Sequence, residues 1–159
     1  MLKDEVCAYL IEHNITFGSA ESLTGGLFAS LVTTVSGISK VYKGSVVSYA
    51  SSVKKDVLGI PQEVIDKHGV VSYEVGYLMS KAACKLLDVD LAISFTGNAG
   101  PSAMEGKEVG LVYIGITYLN ETKCFEYHFK GDRQKIREQC VEQAFLLIKK
   151  LVSKITKRR

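Results

Sequence analysis

The sequence predicts the α/β fold class, in the form of a three-layer α/β/α sandwich with a mixed central sheet. Segments with helical spacing of apolar residues alternate along the chain with short apolar segments typical of buried strands. Two strand-like segments flank Asn120-Glu121 and predict an antiparallel hairpin, which makes the sheet mixed. The length of 159 residues suits one domain, which we expect over residues 1–153, followed by a basic tail over 154–159.

The predicted elements in the first part of the chain alternate between helix and strand. Apolar residues at helical spacing indicate the first helix, and Asn14 is a suitable end to it. Serine and glycine residues then separate the following segments. In chain order we predict a helix over 2–13, a strand over 15–20, a helix over 24–35, a strand over 43–50 and a short helix over 51–58.

The later elements end in a hairpin and a long helix. Pro61 suits the first turn of a short helix, and Ser72 with Val75 forms a helix-capping pattern. The apolar segment Leu91–Phe95 is typical of a strand that is buried on both faces. In chain order we predict helices over 61–67 and 72–87, a strand over 91–95, hairpin strands over 109–119 and 123–129, and a helix over 132–155.

The distribution of charge argues against two classes of partner. The formal net charge is +3, but the tail carries four cations and no acid, so residues 1–153 sum to −1. This nearly neutral body offers no basic face for a phosphate backbone, so we expect no nucleic-acid partner, and we interpret the tail as a solvated, frayed end. No apolar segment approaches the length that crosses a bilayer, so we expect no membrane partner.

Cysteine and histidine usage predicts neither disulfides nor a metal site. The four cysteines show no Cys-x-x-Cys spacing and residues 1–5 do not resemble a signal peptide, which favours a cytoplasmic location. Isolated histidines and scattered acids make no ligand cluster, so we expect no metal. No phosphate-binding lysine follows Gly25-Gly26, and there is no dinucleotide fingerprint, so we expect no cofactor.

Three polar loops are predicted to follow strands and to meet at one edge of the sheet. The first loop carries Ser22, the second carries Tyr49 and Lys54, and the third is the segment Thr96–Pro101. Ligands in open α/β sheets bind outside the carboxyl ends of the strands, so we expect these loops to form one pocket. The candidate ligand-binding positions in the first and third loops are Thr24, Gly25, Gly26, Thr96, Gly97, Asn98, Ala99 and Gly100.

The first and third loops favour an anion or a developing negative charge. The helix predicted after Ser22 offers unpaired N–H groups and the positive end of its dipole at Thr24–Gly26. The glycines of the third loop let its N–H groups approach a ligand closely. Both loops also have a plain interpretation, in which the first is a turn with a helix cap and the third is a tight turn.

Ser22 needs a base to become a nucleophile. The histidines at 13, 68 and 128 lie where structural or exposed residues are usual, so the sequence predicts no Ser-His-Asp set. Lys54 can serve as the base if burial lowers its pKa, and Tyr49 can relay a proton or hold the serine hydroxyl. The alternatives are a solvated helix lysine at position 54 and an aromatic lid on the sheet edge at position 49.

The ordered set of motifs resembles the C-terminal domain of the competence/damage-inducible protein CinA, a family that includes stand-alone nicotinamide-nucleotide amidases. The resemblance covers the chain from about residue 3 to residue 152. The matching segments are Ala20–Gly26, Gly44–Tyr49, Lys54 with Leu58-Gly59, His68–Ser72, Thr96–Pro101, Val109-Gly110, Gly131–Arg133 and Ile136-Arg137.

The resemblance implies an amidohydrolase of pyridine-nucleotide salvage. Such enzymes deamidate nicotinamide mononucleotide to nicotinic acid mononucleotide and ammonia, and they require no metal. By position, the resemblance implies Ser22 as the nucleophile, Lys54 as its general base and Tyr49 as a supporting hydroxyl. The substrate phosphate would bind a helix N-terminus, Arg133 or Arg137, and Arg133 is equally compatible with a plain surface role.

The resemblance also bears on assembly and on alternatives. The family is often oligomeric, so we expect a homo-oligomer, and apolar residues such as Val41 and Tyr42 are available for an interface. Asn98 stands where an apolar residue is usual, and the segment 102–108 lacks the usual glycine-rich and proline-containing pattern. Because these changes lie at predicted substrate contacts, the alternative is a non-catalytic nucleotide-binding module, or a protein-interaction module, of the same fold.

Overall fold

The computed structural model describes residues 1–157 and contains a five-stranded sheet with helices on both faces. The helices are α1 (Leu2–Glu12), α2 (Leu27–Val32), α3 (Ser51–Asp56), α4 (Gln62–His68), α5 (Tyr73–Leu87) and α6 (Arg133–Lys157), with a 3₁₀ turn over Ile38–Lys40. The strands are β1 (Phe17–Glu21), β2 (Tyr42–Val47), β3 (Leu91–Gly97), β4 (Leu111–Tyr118) and β5 (Glu121–His128).

The predicted three-layer α/β/α sandwich with a mixed sheet is confirmed. The strand order is β2-β1-β3-β4-β5, in which β1 pairs with β2 and β3 in parallel while the two later pairings are antiparallel. Residues of α1, α2 and α6 share one apolar core with β1, β3 and β4, whereas α5 encloses a smaller core on the other face. The carboxyl ends of the parallel strands therefore meet at one edge.

Helix α5 lies unusually close to the sheet. A Cβ added at Gly115 of β4 would come within 2.3 Å of the Gly76 carbonyl oxygen, and the Ser94 hydroxyl donates to that same oxygen over 2.7 Å. The Ser72 side chain accepts the Val75 N–H at the start of this helix, as the capping pattern predicts. Small residues on both surfaces thus set the distance between this layer and the sheet.

Several predicted boundaries differ from the structure. The helix predicted over 24–35 is shorter because Gly25 (φ +57°) and Gly26 (φ +101°) adopt left-handed backbone, so the helix begins only at Leu27. The hairpin turns at Leu119-Asn120, which are both left-handed, and Glu121 already belongs to β5. These positions depend on turn geometry, which apolar spacing does not report.

Two expectations about the surface also change. Helix α6 continues to Lys157, so the first part of the predicted basic tail is helical, while Arg158 and Arg159 lie outside the described residues. Val41 is only 1% exposed, so it is a core residue and not an interface position, and Tyr42 is half-buried. Within residues 1–157, none of the helices has both the length and the apolar character needed to cross a bilayer.

Candidate active site

A cleft of about 630 Å³ opens at the carboxyl edge of the parallel strands. This volume lies within the range of roughly 300–1,000 Å³ that small-molecule sites occupy. Three of the predicted loops meet here, joined by a turn before α5. The lining residues are Ser22, Leu23, Tyr49–Ser51, Lys54, Val70, Val71, Thr96–Ser102, Met104 and Arg133.

Ser22 and Lys54 are in direct contact. Lys54 Nζ lies 3.0 Å from Ser22 Oγ, although the two residues are 32 positions apart in the chain. The lysine is only 1% exposed and lines the cleft, on a helix, α3, that follows β2 after a connection of three residues. The prediction that the second loop would bring Lys54 to Ser22 therefore describes the observed geometry, and the solvated-lysine alternative does not.

The remaining contacts of the Lys54 amine determine its orientation. Nζ donates to the main-chain carbonyl oxygens of Ser48 over 2.6 Å and of Tyr49 over 3.1 Å. Carbonyl oxygens only accept, so they occupy two N–H groups of the amine. When the amine is neutral, those two N–H groups are its full complement, and its lone pair is left facing Ser22 Oγ.

The protonation of Lys54 suits a base near neutral pH. Burial disfavours the ammonium form and lowers the pKa of Lys54 to about 8, and the more distant Glu105 carboxylate acts weakly in the opposite direction. No carboxylate forms an ion pair with this amine among residues 1–157. A substantial neutral fraction is therefore present at physiological pH.

The N-terminus of α2 is occupied by a side chain of the protein itself. Glu21, which is fully buried, accepts the N–H groups of Gly26, Phe28 and Ala29 over 3.1–3.2 Å. The Gly25 N–H donates to the Ser22 carbonyl over 3.0 Å. The N–H groups of Gly25 and Gly26 are therefore paired internally, contrary to the expectation that they hold an anion.

The Arg137 guanidinium also forms its hydrogen bonds within the protein. Its Nε donates to the Leu23 carbonyl over 3.0 Å and its Nη2 to the Thr24 carbonyl over 2.8 Å, while Nη1 donates to Gln134 over 2.6 Å. Arg137 and Thr24 do not line the cleft. The predicted phosphate contact from Arg137 is therefore replaced by a contact with the loop that carries the serine, defined here as the elbow loop (residues 22–26).

Tyr49 and Arg133 stand together at the mouth of the cleft. Arg133 Nη2 donates to the Tyr49 hydroxyl over 3.0 Å, and Nη1 donates to the Gly100 carbonyl over 2.6 Å. Tyr49 is 61% exposed, and its hydroxyl bonds to Arg133 and not to Ser22. The Tyr49 main-chain oxygen, in contrast, orients Lys54. The role of the Tyr49 hydroxyl in catalysis stays a prediction.

The loop between β3 and β4, here called the wall loop (residues 98–108), is tied at its base by Asn98. This side chain is 1% exposed, and its Nδ2 donates to the carbonyls of Lys107 (3.2 Å) and Glu108 (3.4 Å). Its Oδ1 accepts the Gly100 N–H over 3.3 Å. The asparagine that stands in place of an apolar residue thus lines the cleft, while its side-chain amide forms hydrogen bonds within the loop.

The tip of the wall loop is tied to the turn before α5. Glu105 accepts the N–H groups of Val70 (3.0 Å) and Val71 (3.3 Å), and Lys107 Nζ donates to the carbonyls of His68 and Val71. Glu105 and Gly106 are both left-handed, which reverses the chain between these two anchors. Met104, on the same turn, reaches the lining of the cleft.

Among the described buried residues that line the cleft, two have an unpaired N–H group. Among residues 1–157, the N–H groups of Leu23 and Ala99 donate to no acceptor of the protein, although both residues are about 5% exposed. One follows the serine directly and the other belongs to the wall loop. Buried N–H groups without partners are rare in native structures, so these two are candidates for contacts with a ligand.

Most of the predicted site residues therefore lie together at one cleft, and the others do not line it. Ser22, Lys54, Tyr49, Arg133 and the segment Thr96–Gly100 line one cleft, whereas Thr24, Gly25, Gly26 and Arg137 lie behind it. Sequence reasoning missed Glu21, although an acid directly before Ser22 was visible. No group of His, Cys, Asp and Glu side chains within residues 1–157 is arranged to hold a metal ion.

The fold and the cleft define an open α/β protein with a serine–lysine pair at a sheet edge, in which the lysine is buried. The sequence profile of the CinA C-terminal domain matches residues 1–152, and the chain belongs to this family. The resemblance inferred from the motifs is confirmed.

Relatives of known sequence are longer than this chain. It is 42% identical over 149 residues to a protein of Listeria welshimeri whose name describes a competence-damage inducible protein, covering 93% of this chain and 36% of the relative. A protein of the same description from Bacillus subtilis is 45% identical over 141 residues, covering 89% and 34%. The chain therefore spans about a third of the length of these relatives.

Solved structures with the same fold come from several bacteria. The competence damage-inducible protein A of Klebsiella pneumoniae superimposes with a TM-score of 0.92 at 29% identity, covering 95% of both chains. The competence/damage inducible protein CihA of Agrobacterium tumefaciens superimposes with a TM-score of 0.86 at 27% identity, covering 96% of this chain and 92% of that one.

Proposed function

We propose that this protein is an amidohydrolase that deamidates nicotinamide mononucleotide by a Ser-Lys mechanism. The observation that carries the proposal is the Lys54 amine, 3.0 Å from Ser22 Oγ, with two of its hydrogens directed to main-chain carbonyls. That arrangement presents a lone pair to the serine O–H, which is what a nucleophile paired with a base requires.

In the proposed reaction, Ser22 Oγ attacks the carboxamide carbon while neutral Lys54 takes the hydroxyl proton. The resulting Lys54 ammonium then protonates the amide nitrogen, so that the C–N bond breaks and ammonia leaves. Water next attacks the acyl-serine as Lys54 again takes a proton. Lys54 then returns that proton to Ser22 Oγ as the acyl C–O bond to the serine breaks and nicotinic acid mononucleotide is released. One base therefore serves both steps, and it is neutral again at the end of each.

The negative charge of the tetrahedral intermediate needs donors that the protein does not already use. The unpaired N–H groups of Leu23 and Ala99 belong to two different loops that line the cleft, and they support this role. A donor from the residue after the nucleophile and a second from a separate loop form the oxyanion site in other serine hydrolases. One such donor typically changes kcat by about 10²–10³-fold.

The substrate phosphate is assigned to Arg133 under this proposal. Arg137 and the start of α2 are already paired internally, which leaves Arg133 as the cation at the mouth of the cleft. Its guanidinium donates to the Gly100 carbonyl and the Tyr49 hydroxyl through Nη1 and Nη2, and the five N–H donors of an arginine exceed these two contacts.

The test measures ammonia release from nicotinamide mononucleotide by the purified protein and by Ser22→Ala. We expect turnover by the wild type and a loss of at least about 10³-fold in the variant. Thermal stabilisation by the mononucleotide without ammonia release would favour the non-catalytic binding module and contradict the proposal. Activity toward other amides alone would keep the Ser-Lys chemistry and contradict the substrate.

A further inference from the structure

We propose that Arg137 is a positioning residue that aims the Leu23 N–H into the cleft. The inference rests on the proposed function of Ser22 and concerns the peptide planes that follow it. Arg137 lies on α6, more than 110 residues away in sequence, yet it binds the carbonyls of both Leu23 and Thr24. It touches neither the cleft nor the reacting atoms, so its effect must pass through the backbone.

The first peptide unit through which Arg137 acts on the Leu23 N–H is the one that carries the Thr24 carbonyl. In a trans peptide the C=O and the following N–H point in opposite directions. When Arg137 Nη2 holds the Thr24 oxygen at 2.8 Å, the Gly25 N–H is therefore directed away from Arg137. That N–H donates to the Ser22 carbonyl over 3.0 Å. The Leu27 N–H also donates to the Thr24 oxygen, over 2.9 Å, so Arg137 and the first turn of α2 together fix the donor that binds the serine's own carbonyl.

The path ends at the Leu23 N–H. Because the Ser22 carbonyl is held by Gly25, the Leu23 N–H of the same peptide unit must point the opposite way. The Arg137 Nε bond to the Leu23 carbonyl fixes the next peptide unit as well, so both sides of Leu23 are restrained. The donor next to the nucleophile is thus set in place before a ligand arrives.

Glycine at position 25 is part of this arrangement. Its φ of +57° is left-handed backbone, which disfavours a residue with a side chain, and a Cβ added there would lie 3.5 Å from Arg137 Nη2, at ordinary contact distance. Arginine is suited to the task because its planar fork reaches two carbonyls at once, which a lysine ammonium on a flexible stem does not reproduce.

The experiment uses a small alkyl fluorophosphonate, whose phosphorus is attacked by Ser22 Oγ while fluoride leaves and Lys54 receives the proton. The phosphoryl oxygen then occupies the place of the oxyanion, and intact-protein mass spectrometry reports the labelling rate. We expect Arg137→Ala to slow labelling by about 10²-fold, comparable to the loss of one oxyanion donor. Millimolar guanidinium, far below denaturing concentrations, should restore part of the rate, which a purely structural role would not produce.

The matched control is Lys135→Ala, which removes an exposed cation from the same helix and should label at the wild-type rate. If Arg137→Ala fails to fold, Arg137→Lys replaces it and should also label slowly while keeping its circular dichroism. With nicotinamide mononucleotide, we expect the Arg137 variants to lower kcat and leave KM nearly unchanged.

Equal labelling of wild type and Arg137 variants, or a slowing shared by Lys135→Ala, would overturn the inference. An unlabelled wild type would overturn it too, because no donor would then be poised beside the serine. If the wild type labels in an Arg137-dependent way but releases no ammonia from the mononucleotide, the proposed function fails and the inference stands.

Discussion

The elbow loop and the wall loop both contribute to the lining of the cleft, but they are held by different means. The elbow loop is fixed by hydrogen bonds with buried or half-buried side chains. The Glu21 carboxylate accepts N–H groups of α2, the helix that follows the loop, and Arg137 donates to two carbonyls of the loop. The wall loop is fixed at its base by Asn98 and at its tip by Glu105 and Lys107, while residues 101–106 stay exposed.

The two loops are therefore expected to affect different properties, the reaction rate for the elbow loop and the substrate fit for the wall loop. The elbow loop holds reacting atoms through buried polar bonds, so an error of direction there acts directly on the bond that is being formed. The wall loop lines the cleft, and its tip bonds to the turn before α5 near the surface. We therefore expect changes in the elbow loop and its base to act on kcat, and changes in the wall loop to act on stability and substrate fit.

The largest expected effect comes from removing either member of the Ser-Lys pair. Ser22→Ala and Lys54→Met should each lower kcat for nicotinamide mononucleotide by at least about 10³-fold, and the double variant should be hardly worse, since the two act as one unit. Steady-state ammonia release measures this. Multiplicative effects in the double variant would mean that the two residues act independently.

The next effect is a dependence of rate on pH. The base must be neutral, so kcat should rise about tenfold per pH unit below the Lys54 pKa of about 8 and level off above it. A profile without a step between pH 6 and pH 9 would contradict Lys54 as the base. Glu105→Gln should move the midpoint to lower pH, because this wall-loop carboxylate raises the pKa of Lys54.

The same pKa makes a prediction for stability. The folded protein releases the Lys54 proton at about pH 8, whereas an unfolded lysine holds its proton to roughly pH 10.4. In that window the unfolded state binds more protons, so the contribution of Lys54 to stability rises with pH. Urea unfolding measures the unfolding free energies of the wild type and Lys54→Met. The value for the wild type minus the value for the variant should increase from pH 7 to pH 10.

A smaller effect is expected at the mouth of the cleft. Arg133→Ala should raise KM for nicotinamide mononucleotide by about tenfold or more with little change in kcat, because it removes a charge-assisted contact to the phosphate. Nicotinamide riboside, which lacks the phosphate, is the control substrate and should be turned over equally by both proteins. An equal loss for both substrates would place the phosphate elsewhere.

The smallest effect on catalysis is expected at Asn98. Asn98→Leu restores an apolar side chain but leaves the buried Gly100 N–H and the Lys107 carbonyl without their partner, which should lower stability by about 1–3 kcal/mol. Urea unfolding measures the loss. Labelling of Ser22 by the fluorophosphonate should stay within a few-fold of the wild type, and a loss as large as that of Arg137→Ala would erase the distinction between the loops.

Sequence reasoning predicted the positions of the loops better than their internal contacts. The strand that ends before Ser22 and the helix that carries Lys54 follow from local spacing, and parallel strands place their carboxyl ends together. The short α2 was predicted too long because the left-handed Gly25 and Gly26 are compatible with both a helix start and a turn. Local patterns do not distinguish these two when a distant arginine holds the backbone.

By itself, the sequence determined the layers, the order of helices and strands, and the family, because these depend on apolar periodicity and on motifs along the chain. Only the tertiary structure decided which polar groups remain available. Glu21 accepts N–H groups at the start of α2, Arg137 donates to two carbonyls of the elbow loop, and Asn98 donates to carbonyls within the wall loop. The contribution of each hydrogen bond to stability depends on burial and on the direction of a peptide plane. The spacing of residues along the sequence predicts neither property.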